Sequence, residues 1–230
     1  MRLEAGDILY VTGTDTEVGK TFVSVALLTR WHVQGRTLRA IKPAESGTEG
    51  AQPGEREDGV RLAQASGQPE PRAALQRLRA PLAPPLAADQ DAVALDFPGW
   101  IAALDAHRLA DGITLVEGAG GLLSPLTWTE DLRDLIAARP GKVLVVCANR
   151  LGAVHQCRAC LAALDSLPHR GVAVVLNAGD PKDLAARSNA TLLRAVEPHV
   201  RVWETPREEV QGEFETLGDA WTRLANELWP

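Results

Sequence analysis

Lysine is scarce in this chain. It occurs only at Lys20, Lys42, Lys142 and Lys182, while arginine supplies the other twenty basic residues. In a sequence so biased towards arginine, a lysine marks a place where a compact point charge is wanted rather than a planar fork. Lys20 lies in the run Gly13-Thr14-Asp15-Thr16-Glu17-Val18-Gly19-Lys20-Thr21, between an apolar strand-like segment and a helix-like one. A loop in that place points the backbone N–H groups of Asp15, Thr16, Glu17, Val18 and Gly19 at phosphate oxygens, and the helix behind it adds its positive end. Lys20 would neutralise β/γ-phosphate charge, and the Thr21 hydroxyl would ligate Mg²⁺. The strict spacing G-x-x-x-x-G-K-[ST] does not hold: five residues separate Gly13 from Gly19, and Thr14 stands at the first-glycine position.

Two further segments suit the same chemistry. Val116-Glu117-Gly118-Ala119-Gly120-Gly121 ends a buried strand candidate. A carboxylate there can hold Mg²⁺, and glycines after it let a ligand approach the backbone. Lys42-Pro43-Ala44-Glu45-Ser46-Gly47 follows another strand candidate, with proline fixing the turn and Lys42 emerging beside the phosphate loop. Asp58, further on, is readable either as a helix cap or as a metal ligand.

These residues need a frame, and the apolar pattern supplies one. Residues 8–11, 113–116, 143–146 and 172–176 are short β-branched runs without alternation, as in strands buried on both faces; residues 38–41 form a weaker fifth. Helix-length amphipathic segments lie at about 20–33, 98–109, 154–164, 182–195 and 216–228. The alternation predicts an α/β fold, a doubly wound and mostly parallel sheet with helices on both faces. Open sheets of this kind bind ligands at the carboxyl ends of their strands. Glycine and charge in 46–57 predict a mobile surface loop, and three prolines in 81–91 predict an irregular crossover. No linker or solenoid repeat divides the chain, so residues 1–230 read as one domain.

Composition sets the outer limits. Of 230 residues, 45% are hydrophobic and 23% charged, which excludes a disordered tail or a collagen-like fibre. Lys and Arg total 24 against 30 Asp and Glu, a net charge of -6. That argues against a general nucleic-acid binder, which needs a basic face, but not against a local phosphate site. The three cysteines, Cys147, Cys157 and Cys160, are too few for a disulfide scaffold. The lone C-x-x-C of Cys157 and Cys160 lacks the other two ligands of structural zinc and reads as ordinary helix. A polar start and the absence of a long apolar stretch predict no signal peptide and no membrane span, with the cytoplasm as compartment.

At these motifs the chain resembles the dethiobiotin synthetase family. The run Gly13 to Thr21 is similar to that family's phosphate loop residue for residue, including the extra residue before the second glycine. Lys42-Pro43 with Ser46-Gly47 matches its second block, and Val116 to Gly121 with Pro125-Leu126 its third. Leu151-Gly152 and Asn177 also fit, and the likeness runs from about residue 8 to 180. The resemblance implies a P-loop NTPase-type sheet in a homodimer, with its substrate site at the subunit interface. It also implies closure of a cyclic urea on 7,8-diaminopelargonic acid with carbon dioxide, ATP and Mg²⁺. By position, Lys20, Lys42 and Thr16 would serve catalysis, and Thr21, Asp58 and Glu117 would hold Mg²⁺. Ser46, Gly118, Gly121, Gly152 and His155 would meet the substrate, and Asn177 would recognise adenine. The family's adenine loop falls, in outline only, at Thr205-Pro206-Arg207-Glu208, and Pro206 is carried over with it. Two departures stand out: Pro85 follows Pro84 where the family tends to have histidine, and His155 stands where it often has asparagine.

A different class shares the fold, the nucleotide-switched partitioning or assembly ATPases of the deviant Walker-A type. They carry an additional lysine early in the phosphate loop, where this chain has the acidic Asp15-Thr16-Glu17. Amidotransferase-like relatives append a glutaminase domain for which this chain is too short.

Overall fold

The computed structural model describes residues 1–50, 52–206 and 218–230. The β-branched runs pair into one six-stranded sheet in the order β2-β5-β1-β6-β7-β8. Its strands are β1 (Ile8–Gly13), β2 (Leu38–Ile41), β5 (Ile113–Gly121), β6 (Lys142–Ala148), β7 (Val172–Gly179) and β8 (Arg201–Pro206). All five pairings are parallel. Strands β1, β6 and β7 are buried along almost their whole length, which is why their sequences do not alternate.

Successive side chains of each strand go to opposite faces, and each face has its own core. Leu9, Val11, Leu115, Leu144 and Val146 meet helices α1 (Lys20–Val33), α2 (Asp58–Ser66) and α8 (Asp219–Leu228) through Leu27, Leu28, Leu62 and Trp221. Ile8, Tyr10, Val116, Val143 and Val145 meet α4 (Phe97–His107), α5 (Leu132–Ala138), α6 (Ala153–Leu164) and α7 (Leu184–Val196). The chain therefore winds to one side of β1 and then to the other. The strand order reverses at β1, and the crevice beyond its carboxyl end is where such sheets bind ligands.

Several expectations need correction. Residues 84–91 form helix α3 (Pro84–Asp91) rather than an irregular crossover. Pro84 and Pro85 occupy its first turn, where the missing N–H groups cost nothing and the fixed φ suits a helix. The described residues after Ser46 form a surface loop that is tied down at several points. Ser46 belongs to β3 (Ala44–Ser46), which pairs in parallel with β4 (Gln76–Leu78) in a small second sheet. Thr48 bonds the Leu78 carbonyl, and Arg77 reaches the carbonyls of Glu49 and Gln52 and the Glu57 carboxylate. Three-residue strands carry no readable period, so the sequence patterns reveal neither β3 nor β4, and α2, α5 and β8 also lie outside them. Arg207 and Glu208 of the expected adenine loop lie outside the described residues.

Lys142 opens β6 at the amino end of the sheet, away from the crevice, 2.5 Å from Asp7 in a partly buried pair, so its role is in the fold. Cys157 and Cys160 sit one turn apart on α6, the first buried and the second half-buried. Burial, followed by the charge of Cys147, pushes the Cys160 thiol up to about 11. It stays protonated at neutral pH and is a poor nucleophile.

Helix α8 closes the chain against α1. Trp31 is buried, donates its Nε1–H to the Ala225 carbonyl at 3.1 Å and meets Trp229 edge-on at 5.8 Å. Trp31→Ala should lower the unfolding free energy by about 3–5 kcal/mol through lost area and a cavity. Urea titration will measure it, and a loss under 1 kcal/mol would mean that α8 does not seal this face.

Candidate active site

The phosphate loop leaves β1 between its two neighbours. Glu17 and Gly19 both have left-handed backbones, with φ of 55° and 90°. At Gly19 only glycine fits, because a Cβ would lie 2.1 Å from Asn177 Nδ2. Asn177, at the end of β7, props the loop: its Nδ2 donates to the Val18 carbonyl at 3.0 Å, and its Oδ1 accepts from Thr205 of β8 at 2.8 Å. Lys20 folds back along the loop and donates to the Asp15 carbonyl at 3.3 Å. Burial, and then the Lys42 ammonium, hold the Lys20 pKa below the ordinary lysine value. A bound anion would relieve that stress by supplying a partner for the charge.

Sheet register brings the second lysine to the acids. Ile41 pairs with Val116, so Lys42 emerges next to Glu117. Its Nζ donates to Glu117 Oε1 at 2.8 Å, Asp58 Oδ2 at 3.2 Å and the Gly118 carbonyl at 3.2 Å. Burial works to lower the Lys42 pKa, but Glu117 and then Asp58 outweigh it, so it lies above the ordinary lysine value. Burial also opposes the charge of Asp58, which Lys42 and a Thr21 hydrogen bond more than offset, leaving its pKa depressed. Glu117 is fully buried and also accepts from Thr21 Oγ1 at 2.7 Å and Ser24 Oγ at 2.6 Å.

Asp58 opens α2 without capping it. Its N–H and that of Gly59 are taken by Glu45, at 2.5 and 2.9 Å, and its own side chain turns to Lys42. The open choice between cap and ligand geometry is decided against the cap. Glu117 and Asp58 thus set two carboxylate oxygens against the Lys42 ammonium, and the Thr21 hydroxyl adjoins both acids. Such oxygens suit Mg²⁺, and their small number suits an ion that keeps waters and takes its other ligands from phosphate. Among the described residues, no group of three or more His, Cys, Asp or Glu side chains could hold a metal without such help.

Thr16, Lys20, Thr21, Lys42, Ser46 and Asp58 line one cavity of about 920 Å³. Asp15, Gly121 and His155 line a second of about 470 Å³, separated from the first by the Ser124-Pro125 turn that borders both. Gly118 contributes its carbonyl to Lys42. Gly152, with φ of 92° and open space around it, precedes α6 beside the exposed Leu151. Pro206 ends β8 opposite Gly179. The motifs do not contain Ser24, Arg61 or Ser124, and Glu45, though inside the Lys42–Gly47 block, is given no role by it. Ser24 was within reach of sequence reasoning, because it follows Thr21 by three residues and shares its helix face.

A family model described as an AAA domain matches residues 7–214. The chain is 40% identical over 187 residues to the ATP-dependent dethiobiotin synthetase BioD of Caulobacter sp. (strain K31), covering 79% of this chain and 81% of that one. It is 42% identical over 180 residues to the protein of that name from Anaeromyxobacter sp. (strain K), covering 76% and 78%. Among solved structures it is similar to the cell division ATPase MinD of Pyrococcus furiosus, with TM-score 0.59 and 15% identity over 96% of this chain and 98% of that one. A ParA family ATPase from Chlorobium tepidum TLS gives TM-score 0.52 and 10% identity over 97% and 93%. At such low identity these two show the fold alone. The much higher identity to the synthetases, over most of both chains, decides the matter: this chain belongs to the ATP-dependent dethiobiotin synthetase family.

Proposed function

We propose that this chain, acting as one P-loop domain, closes a cyclic urea on 7,8-diaminopelargonic acid with carbon dioxide and ATP. The products are dethiobiotin, ADP and phosphate. The observation behind the reading is the convergence of Lys20, Lys42, Thr21, Asp58 and Ser46 on one cavity at the carboxyl end of β1. One amine adds to carbon dioxide and loses a proton, giving a carbamate. Its oxygen attacks the γ-phosphorus and ADP leaves, giving a carbamic-phosphoric anhydride. The second amine then attacks the carbonyl carbon and phosphate leaves.

Negative charge gathers at the carbamate and at the transferring phosphoryl, so electrostatics rather than a strong base must do the catalysis. Lys20 and Thr16 hold the phosphoryl and carbamate oxygens, and Lys42 and Ser46 the carbamate. Thr21, Asp58 and Glu117 hold Mg²⁺, which when bound neutralises β/γ-phosphate charge. The resemblance gives Asn177 and Pro206 to the adenine; Asn177, already bonded to Val18 and Thr205, would meet it with its remaining N–H. Gly118, Gly121, Gly152 and His155 meet the diamine and its remote carboxylate. The exposed Leu123 and Leu151, flanking the second cavity and the start of α6, favour a homodimer that completes the site. Among the described residues no helix is long and apolar enough to cross a membrane, and the cytoplasm is the proposed compartment, with no nucleic-acid partner.

The decisive assay is phosphate release from ATP with and without the diamine under bicarbonate. Release should require the diamine; steady turnover without it, or stimulation by DNA or lipid, would favour a partitioning ATPase. The two lysines should separate kinetically. Lys20→Ala should weaken nucleotide binding and nearly abolish turnover. Lys42→Ala should leave nucleotide affinity intact and cost turnover or diamine affinity about 2–4 kcal/mol. Equal losses of nucleotide affinity would show Lys42 to be misassigned.

Subunit mixing tests the shared site. Lys42→Ala and Gly152→Asp chains should each be inactive alone, the second by repelling the substrate carboxylate; Gly152→Asn, which should keep activity, controls for the strain that any side chain meets at a φ of 92°. Verified mixed dimers should recover one working site. No recovery would mean that each site is built within one subunit.

A further inference from the structure

Glu45 has no place in the phosphate-loop or acidic motifs, yet it makes two of the contacts on which the cavity depends. It is the middle residue of β3 and is buried. Its Oε1 accepts the Asp58 N–H at 2.5 Å and its Oε2 the Gly59 N–H at 2.9 Å. The first N–H groups of a helix have no partner within it and form an anion site. In α2 that site is filled from within the protein, by a carboxylate thirteen residues upstream. Glu57, in the capping position, makes no side-chain cap of α2; its carboxylate pairs with Arg77 instead. Gly59 lets the turn come this close to the chain beneath it, since a Cβ there would lie 2.2 Å from the Ala74 nitrogen. The backbone on which Asp58 is mounted is therefore held by Glu45, and the Asp58 side chain is left free to face Thr21 and Lys42. Glu45 and Ser46, the next residue on the strand, both border the same cavity, but the Glu45 carboxylate oxygens are taken by the Asp58 and Gly59 N–H groups.

We propose that Glu45 is a positioning residue of the metal centre, fixing the Asp58 carboxylate by clamping the first turn of α2. It thereby joins the Ser46 side of the cavity to the cation position through one short strand. The proposal rests on the assignment of Asp58 to Mg²⁺ made above. It assigns Glu45 no contact with metal or substrate, so its effect must pass through Asp58.

The test uses Mn²⁺ as the probe, with free ion read by electron paramagnetic resonance on the full-length protein saturated with ADP. Glu45→Ala should weaken Mn²⁺ binding by about 10-fold or more, the usual effect of removing a group that orients a ligand. ADP affinity measured in EDTA should stay within about two-fold of the parent, as expected when only the metal shell is disturbed. Glu45→Gln keeps one acceptor oxygen for one of the two N–H groups and should recover part of the loss. In an Asp58→Asn background, Glu45→Ala should add nothing further. Parent-like Mn²⁺ affinity in folded Glu45→Ala, or a full additional loss in the Asp58→Asn background, would overturn the proposal. If Glu45→Ala does not fold, Glu45→Gln decides: parent-like Mn²⁺ affinity overturns the proposal, and weakening that vanishes in the Asp58→Asn background supports it. Should Asp58→Asn alone leave Mn²⁺ binding unchanged, the metal assignment of Asp58 fails and this proposal with it. Weakening by Asp58→Asn but not by Glu45→Ala would sink the Glu45 role only.

Discussion

The buried pair of Lys42 and Glu117 is the contact on which the rest of the crevice depends. Two opposite charges, 2.8 Å apart and closed off from water, are tolerated only because each finds further partners. Glu117 has the hydroxyls of Thr21 and Ser24 from α1, and Lys42 has Asp58 from α2 and the Gly118 carbonyl from β5. Removing one member of such a pair leaves the other uncompensated, at a cost of about 3–5 kcal/mol. The cluster therefore ties β2, β5, α1 and α2 to one another, while the phosphate loop has its own supports in Lys20 and Asn177.

The same arrangement accounts for the electrostatic character of the cavity. Two lysines face it under different conditions. Lys42 is held by Glu117 and Asp58 and its charge is secure, whereas for Lys20 burial and the repulsion of Lys42 outweigh the attraction of Glu117, Asp58 and Asp15. A tri-anionic phosphate tail brings what Lys20 lacks. Preorganised positive charge in a site from which water is largely excluded acts strongly on negative charge developing in a transition state. The proposed reaction develops such charge at the carbamate and at the phosphoryl.

The sheet itself does not distinguish this chain from MinD or ParA ATPases, which share its fold at 10–15% identity. A fold of this kind positions loops at the carboxyl ends of its strands and leaves their chemistry open. In this chain those loops carry an acidic run before Gly19 and a lysine, Lys42, at the end of β2.

What the sequence by itself determined was whatever is contiguous along the chain. Ile8 to Val11 reads as a buried strand and Gly13 to Thr21 as a phosphate loop because each needs only its own neighbours to be recognised. Glu117 is legible because it directly follows an apolar strand. Only the tertiary structure decided which groups meet. Ser24 and Glu117 are 93 residues apart in sequence. Asp58 could not be told from a helix cap, because the group that does the capping, Glu45, lies on another strand. Residues 84–91 looked irregular because proline was weighed without its position in a turn, and the strand pair Ala44–Ser46 and Gln76–Leu78 was too short to show a period. Lys142 resembled Lys20 and Lys42 as a rare retained lysine, until pairing with Asp7 placed it at the amino end of the strands, away from the crevice. In each case the deciding partner is remote along the chain, and only burial of the two together makes the contact necessary.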